Sequence, residues 1–291
     1  MYSFINSLFF SRENEFKSRY LPIQPDFERH QEDYKSIVVV RGNRLWKTVS
    51  EFYEISGSIY DDHCLHSIPD ACVDMMFAFF DDCVKCYFLI GLTSLKNLYF
   101  HSANKIFGIR FMPCAGYSLL KNSINTILDV PIKFEDVFNC SDLCEKMYET
   151  LSFHSRVSLV SDFINKHIMS DFECKDLLND CCDMIVESKG KLQIADISNA
   201  TQFSDRFIRK KFNEIVGVSP KTLASIVKLQ NVFYLSNYGS SSLTMTDISI
   251  IAGYTDLSHM NKELKKYIGL SSCQTKATDL KKIIATKNFE F

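Results

Sequence analysis

Two stretches of the chain, 196–220 and 247–272, are imperfect copies of one another, and such a repeat restricts the fold more than composition does. The first reads DISNATQFSDRFIRKKFNEIVGVSP and the second DISIIAGYTDLSHMNKELKKYIGLSS. Asp196-Ile197-Ser198 returns as Asp247-Ile248-Ser249, and Phe203-Ser204-Asp205 as Tyr254-Thr255-Asp256, both 51 residues on. Phe212, Gly217 and Ser219 return as Leu264, Gly269 and Ser271 at 52, which predicts one residue added inside the second copy's second helix.

Each copy predicts a helix-turn-helix. A short first helix turns Ile194, Ala195 and Ile197, or Ile248, Ile251 and Ala252, inward. Gly253 suits a left-handed turn residue. Ser204-Asp205 and Thr255-Asp256 then offer N-cap chemistry to a second helix, which ends at Gly217 or Gly269. In such motifs the second helix enters the DNA major groove, and two readers on one chain address successive grooves, roughly 34 Å apart. Between the copies, residues 219–237 predict a long, mostly apolar helix with Pro220 at its first position.

Charge agrees with that reading. Residues 190–291 hold 14 Lys and Arg against 8 Asp and Glu, whereas the remainder holds 19 against 27. A basic C-terminal third on an acidic body fits a DNA-binding domain joined to one that does not touch DNA. No apolar run reaches the ~18–20 residues needed to span a bilayer. The N-terminus lacks the basic flank and cleavage site of a signal peptide. The eleven cysteines then read as mostly reduced cytoplasmic thiols acting as small hydrophobes.

Further upstream the runs 36–40, 73–80, 85–92 and 106–113 are rich in β-branched and aromatic residues and are separated by turn material, which predicts a barrel or sandwich. The stretch 141–169 has helical spacing through Leu143, Met147, Leu151, Val157, Val160 and Ile164. Residues 174–188 predict the first helix of the DNA-binding domain, and 274–291 a short basic terminal helix. The fold class expected is α+β, with a β-rich sensor or dimerisation domain at 1–139. A helical linker and dimer contact follows at 140–172, and an all-α domain with two helix-turn-helix units at 173–291.

Residues 175–276 resemble the AraC/XylS family of bacterial transcription regulators, most specifically in D-I-S-x-x-A-G-Y-x-D-x-S-H-M followed by Y-I-G. Gln202 stands where the family's turn glycine is usual, and Leu264 and Ser272 replace its Phe and Pro. HSIPDACVDMMF (66–77) and FGIRFMPCAGY (107–117) resemble N-terminal segments of one subgroup, where I-P-D-G-C-x-D-L-x-F and G-x-R-F-x-P recur. The resemblance implies a cupin-like N-terminal domain that senses an effector or dimerises. It also implies a cytoplasmic, non-enzymatic regulator whose partners are double-stranded promoter DNA, RNA polymerase, a small-molecule effector and a second copy of the chain. No cofactor, metal or membrane is implied.

By position in the family motif, Arg206, Arg209 and Lys210 read bases in the first unit, and Leu257, Ser258, Asn261 and Lys262 in the second. Periodicity supports the first set independently, because Phe207, Ile208 and Phe212 would form the buried side. Arg suits guanine, Asn suits adenine and Leu257 a thymine methyl. Lys211, Lys228, Lys265 and Lys266 are the phosphate candidates. An effector pocket, if aromatic strands line one, would draw on Phe77, Phe79, Phe88 and Phe111, although such residues more often form plain core.

Signals for other chemistry are weaker. Cys83-Val84-Lys85-Cys86, with His63, Cys64, His66 and Cys72 nearby, is the alternative of a thiol- or metal-dependent sensor or enzyme. On a strand, however, i and i+3 face opposite ways. Cys114 is not followed by the His-Arg of DNA alkyltransferases, and no phosphate loop or nucleophile elbow is present. A third reading is a protein-interaction module that has lost its DNA affinity.

Overall fold

A computed structural model describes residues 20–28, 34–56, 65–90, 93–113, 115–116, 131–138, 142–168, 176–269 and 288–290. The N-terminal region is a two-sheet sandwich. Its main sheet contains β1 (Tyr34–Val38), β2 (Val49–Ser56), β4 (Val73–Phe79), β5 (Val84–Ile90), β7 (Lys105–Phe111) and β8 (Ile132–Lys133), in the antiparallel order β1-β2-β7-β4-β5-β8. A smaller sheet of β3 (Leu65–Ser67), β6 (Lys96–Tyr99) and β9 (Asn288–Glu290) lies apart from it in the hydrogen-bonding pattern. Sandwich is therefore the form taken, where the sequence left barrel and sandwich open. The expected terminal helix is corrected at 288–290, which pair in parallel with β6; residues 274–287 lie outside the described set.

Strand alternation sorts the side chains of the main sheet onto two faces. One face carries Val73, Met75, Phe77, Phe107, Ile109 and Phe111, and belongs to a large core shared with the helices. The other carries Tyr53, Ile55, Met76, Ala78, Leu89 and Ile106, which pack with Leu65 and Leu98 of the smaller sheet. Two helices cover the first face: α2 (Asp142–Glu149) and α3 (Phe153–His167). The stretch 141–169 is thus two helices, because Ser152 caps the second by accepting from Ser155 N. Leu151 falls in the break and is 88% exposed, not core as its spacing predicted. Phe153 meets Phe107 edge-on at 5.9 Å, and Phe163 packs on Phe134 and Phe138.

C-terminal to these, the described residues form α4 (Asp176–Glu187), α5 (Ile194–Thr201), α6 (Asp205–Ile215), α7 (Pro220–Tyr238), α8 (Met245–Ile251) and α9 (Leu257–Ile268). Ser219 caps α7, with Pro220 in its first turn. Most of its residues from Leu223 to Phe233 are buried, with Ala224, Ser225 and Lys228 half-buried along one face.

The segment Tyr20–Glu28, which ends in one helical turn, α1 (Pro25–Glu28), straps the sandwich to α7. Gln24 donates through Nε2 to Ile68 O and Asp70 Oδ2, both at 2.9 Å, and accepts from Ile68 N at 2.8 Å. Ile23 N donates to Gln230 Oε1 at 2.9 Å, and Gln230 Nε2 donates to Pro69 O at 2.8 Å. Tyr238 bonds Glu28 at the far end of the strap. A buried amide left unpaired is costly, so Gln230 is explained by the strap it holds.

Candidate nucleic-acid interface

Each helix-turn-helix is built the same way from its caps. Asp196 and Asp247, the repeated acids, are third residues of capping boxes: Gln193 N donates to Asp196 Oδ2 at 2.9 Å, and Thr244 N to Asp247 Oδ2 at 2.8 Å. Ile197 and Ile248 beside them are buried. Ala195 and Ile251, expected inward, are exposed, because a helix of seven or eight residues buries only a narrow stripe. Gln202 takes the left-handed conformation, φ 61 and ψ 16, that Gly253 adopts in the second unit at φ 91. A side chain there costs roughly 1 kcal/mol. Gln202 Nε2 also donates to Asn199 O at 2.6 Å.

The second helices of the two units begin at Ser204, whose Oγ accepts from Phe207 N, and at Asp256, whose Oδ1 accepts from His259 N at 2.7 Å. One residue separates Gln202 from Ser204, whereas Tyr254 and Thr255 separate Gly253 from Asp256. The added residue therefore lies in the turn and not inside the second helix. From cap to cap the offset is 52, so Arg206 corresponds to Ser258, Phe207 to His259, Arg209 to Asn261 and Lys210 to Lys262. Leu257 corresponds to Asp205.

That alignment changes the assignments. Ile208 and Phe212, with Met260 and Leu264, form the buried sides. Arg206, Arg209, Lys210, Ser258 and Lys262 are exposed, and Asn261 is half-buried. Leu257 packs against the core cluster, so its side chain braces α9 where a base contact was expected. Phe207, expected on the buried side, is 37% exposed. Asn213 shares the outward face with Arg206 and Lys210 at i+7 and i+3, a signal that periodicity alone carried. His259 likewise faces outward, its ring edge-on to Tyr254 at 5.4 Å.

The phosphate candidates separate too. Lys265 and Lys266 are exposed, although Lys266 Nζ lies 3.8 Å from Glu263 and over the Tyr267 ring. Lys211 donates to Glu214 at 2.9 Å, with Lys210 at 3.7 Å from the same carboxylate. Lys228 is half-buried with its Nζ 5.8 Å over the Tyr254 ring, and burial lowers its pKa. It joins α7 to the second unit's turn, a more internal place than a phosphate contact requires.

Two glycines fix the units against each other. A Cβ on Gly190 would stand 2.3 Å from Ala224 O, so the loop before α5 sits directly on α7. A Cβ on Gly253 would stand 2.9 Å from Lys191, which brings the second unit's turn onto that same loop.

In the sandwich, the segments around Asp70 and Arg110 form one buried charge cluster. Arg110 forks onto Asp74 at 3.0 and 2.8 Å and reaches Glu51 at 2.8 Å and Asp70 at 3.4 Å. Tyr53 donates to Asp74 at 3.0 Å while its ring lies under Arg110. A Cβ on Gly108 would stand 2.0 Å from that ring. The G-x-R pattern is thus a slot for Tyr53 followed by the cation that holds three acids. Burial pushes the Asp70 carboxyl up to about 6, against the pull of Arg110 and with repulsion from Asp74. Ala71, where the resembling motif has Gly, is left-handed at φ 56.

Phe77, Phe79, Phe88 and Phe111 are all buried on the helix-covered face, Phe88 stacking on Phe134 at 6.1 Å. Cys86 is buried opposite Phe77, and Cys83 precedes β5, its thiol raised by burial and by Asp82. His66 Nδ1 meets Asp26 at 3.1 Å; His63 and Cys64 lie outside the described residues. Among the described residues, no group of three or more His, Cys, Asp or Glu is placed to hold a metal. Among the described residues Cys72, Cys83, Cys86, Cys144 and Cys181 are free thiols, and Cys182 is disulfide-bonded. No helix among the described residues is long and apolar enough to cross a membrane.

Residues 42–133 match the family model described as a domain of unknown function, DUF6597, and no curated protein matches the chain. Among solved structures, the C-terminal domain of AraT, a response regulator from Geobacillus stearothermophilus, is 18% identical over 36% of this chain and 88% of that one, with a TM-score of 0.34. The xylose-binding transcription activator xylR is 20% identical over 35% of this chain and 27% of that one, at 0.32. ToxT from Vibrio cholerae O395 bound to (E)-4-(8-methylnaphthalen-1-yl)but-3-enoic acid is 13% identical over 85% and 99%, at 0.42. These are regulators of the AraC/XylS family, the one the repeat resembles. With every TM-score below 0.5, the functional reading rests on this chain's own residues.

Proposed function

We propose that this protein is a sequence-specific DNA-binding transcription regulator of the AraC/XylS type, responsive to an effector through its N-terminal sandwich. One observation supports it above all: two helices with matched caps, α6 and α9, present polar and cationic faces at equivalent positions, Arg206 with Ser258 and Lys210 with Lys262. Arg206 and Arg209 take guanine edges in pairs of hydrogen bonds, and Lys262 and Asn261 read the neighbouring groove. Lys265 and Lys266 hold phosphates and set register. The net positive charge of this third of the chain supplies the salt-dependent part of the affinity.

An effector acts only through different free energies in the arrangements that can and cannot bind DNA. The strap from Tyr20 to Glu28 is an element through which the sandwich holds α7, and its Tyr20 and Ile23 belong to the same buried core as Phe77, Phe79, Phe88 and Phe111. A homodimer contact at α2 and α3 is part of the proposal, supported by the outward Leu151 and Tyr148. So are RNA polymerase as partner and the cytoplasm as location. Footprinting with promoter fragments tests the reading. Protection of a discrete site with at least ~10³-fold preference over competitor DNA is expected, and uniform, sequence-blind retention would refute it.

A further inference from the structure

An exposed aromatic pair stands among the cations of the first reader. Phe203 and Phe207 are 42% and 37% exposed, their rings stacked at 5.0 Å and 18°. Contiguous apolar surface rimmed by polar residues is the kind that marks an interaction site, and the stacked rings make one continuous patch. The exposed cations flanking Phe207 on this face of the helix are Arg206 and Lys210, so the partner is polyanionic with apolar points on it. The pair is also held in place. Gln202 is fixed in its left-handed turn, Ser198 Oγ donates to Phe203 O at 2.6 Å, and Ser204 caps the Phe207 amide at 3.3 Å.

Phe207 lies in the first turn of α6, the part of such a helix that approaches base edges. Of the four bases, thymine alone offers a methyl group in the major groove, and phenylalanine is among the side chains that contact it. We infer that Phe207, backed by Phe203, reads a thymine methyl in the groove that α6 enters. This rests on the proposed DNA reading and moves the methyl contact from Leu257, which braces the core, to the first unit. At the equivalent place in α9 stands His259 against a buried Tyr254, a polar ring that offers hydrogen bonds. The two half-sites therefore differ in what they require at matching positions.

The experiment uses the full chain and a pool of randomised DNA duplexes. The duplex enriched by the wild type is remade with each thymine replaced singly by deoxyuridine, which removes only the methyl. One such replacement is expected to weaken wild-type binding about four-fold, the worth of one buried methyl-sized group. Phe207→Ala should bind that duplex and its thymine parent equally, and Phe207→Leu should keep part of the preference. No methyl-dependent thymine, or a Phe207→Ala variant with the full preference, overturns the inference and assigns the ring pair to a protein contact. If the wild type enriches no sequence at all, the DNA reading itself fails and takes the inference with it.

Discussion

The side-chain amide of Gln230, midway along the helix that joins the two helix-turn-helix units, donates to Pro69 O at 2.8 Å and so ties α7 to the sandwich. Its Oε1 accepts from Ile23 N in the same plane of contacts. Gln230→Ala leaves two buried backbone groups without partners, a loss of about 2–4 kcal/mol. A lower urea midpoint and faster hydrogen exchange at the Ile23 amide are the expected readouts. An unchanged midpoint would show that the strap carries no stability.

Asp70 gives stability a dependence on acidity. Its carboxyl titrates near 6 in the fold and near ~4 in an unfolded chain. Between those values the native state binds more protons, so this group's contribution falls as pH rises from about 4 to about 6 and is level above that. Relative to Asp70→Asn, the wild type should lose on the order of 2 kcal/mol across that window. Urea midpoints of both proteins from pH 4 to 7 measure it, and parallel curves would contradict it.

Arg206 and Lys265 should fail differently. Arg206→Ala is expected to relax the preference at one base pair by about 1–3 kcal/mol. Lys265→Ala should weaken every sequence alike and flatten the salt dependence by about one unit. Binding titrations on matched and single-mismatch duplexes at several salt concentrations separate the two. Equal effects would mean that base and phosphate contacts are wrongly divided.

Leu257 and Ser258 provide a sharper test of the cap-to-cap alignment. Leu257→Ala removes core packing and should cost about 1–3 kcal/mol of stability with sequence preference intact. Ser258→Ala should leave the thermal midpoint alone and alter the preference. The reverse pattern would restore the offset of 51 at this point.

The repeat, the caps and the long helix were legible because each depends on neighbours in sequence: Ser204 and Asp256 cap three residues ahead, and Pro220 begins its own helix. Placing the extra residue was not legible, since Ser204-Asp205 and Thr255-Asp256 each offer two capping residues and only the folded turn selects one. β2 was missed for a different reason. Glu51 and Glu54 interrupt its apolar run, and both are buried against partners far along the chain, Arg110 and Arg156. Phe207 was misjudged because an aromatic at helical spacing ordinarily points inward. The strap of Tyr20–Glu28 left no trace in periodicity, for it is held by groups far along the chain, among them Ile68 and Asp70, Gln230 and Tyr238.

A helix as largely buried as α7 is from Leu223 to Phe233 also acts as a ruler graduated in single residues. Each residue turns an α-helix by about 100° and lengthens it by about 1.5 Å. One alanine inserted after Val232 would swing the second reader around the shaft, out of phase with the first, whatever the DNA between them. On the proposed DNA reading, the spacing between half-sites is thereby written into the protein as a count of residues in α7.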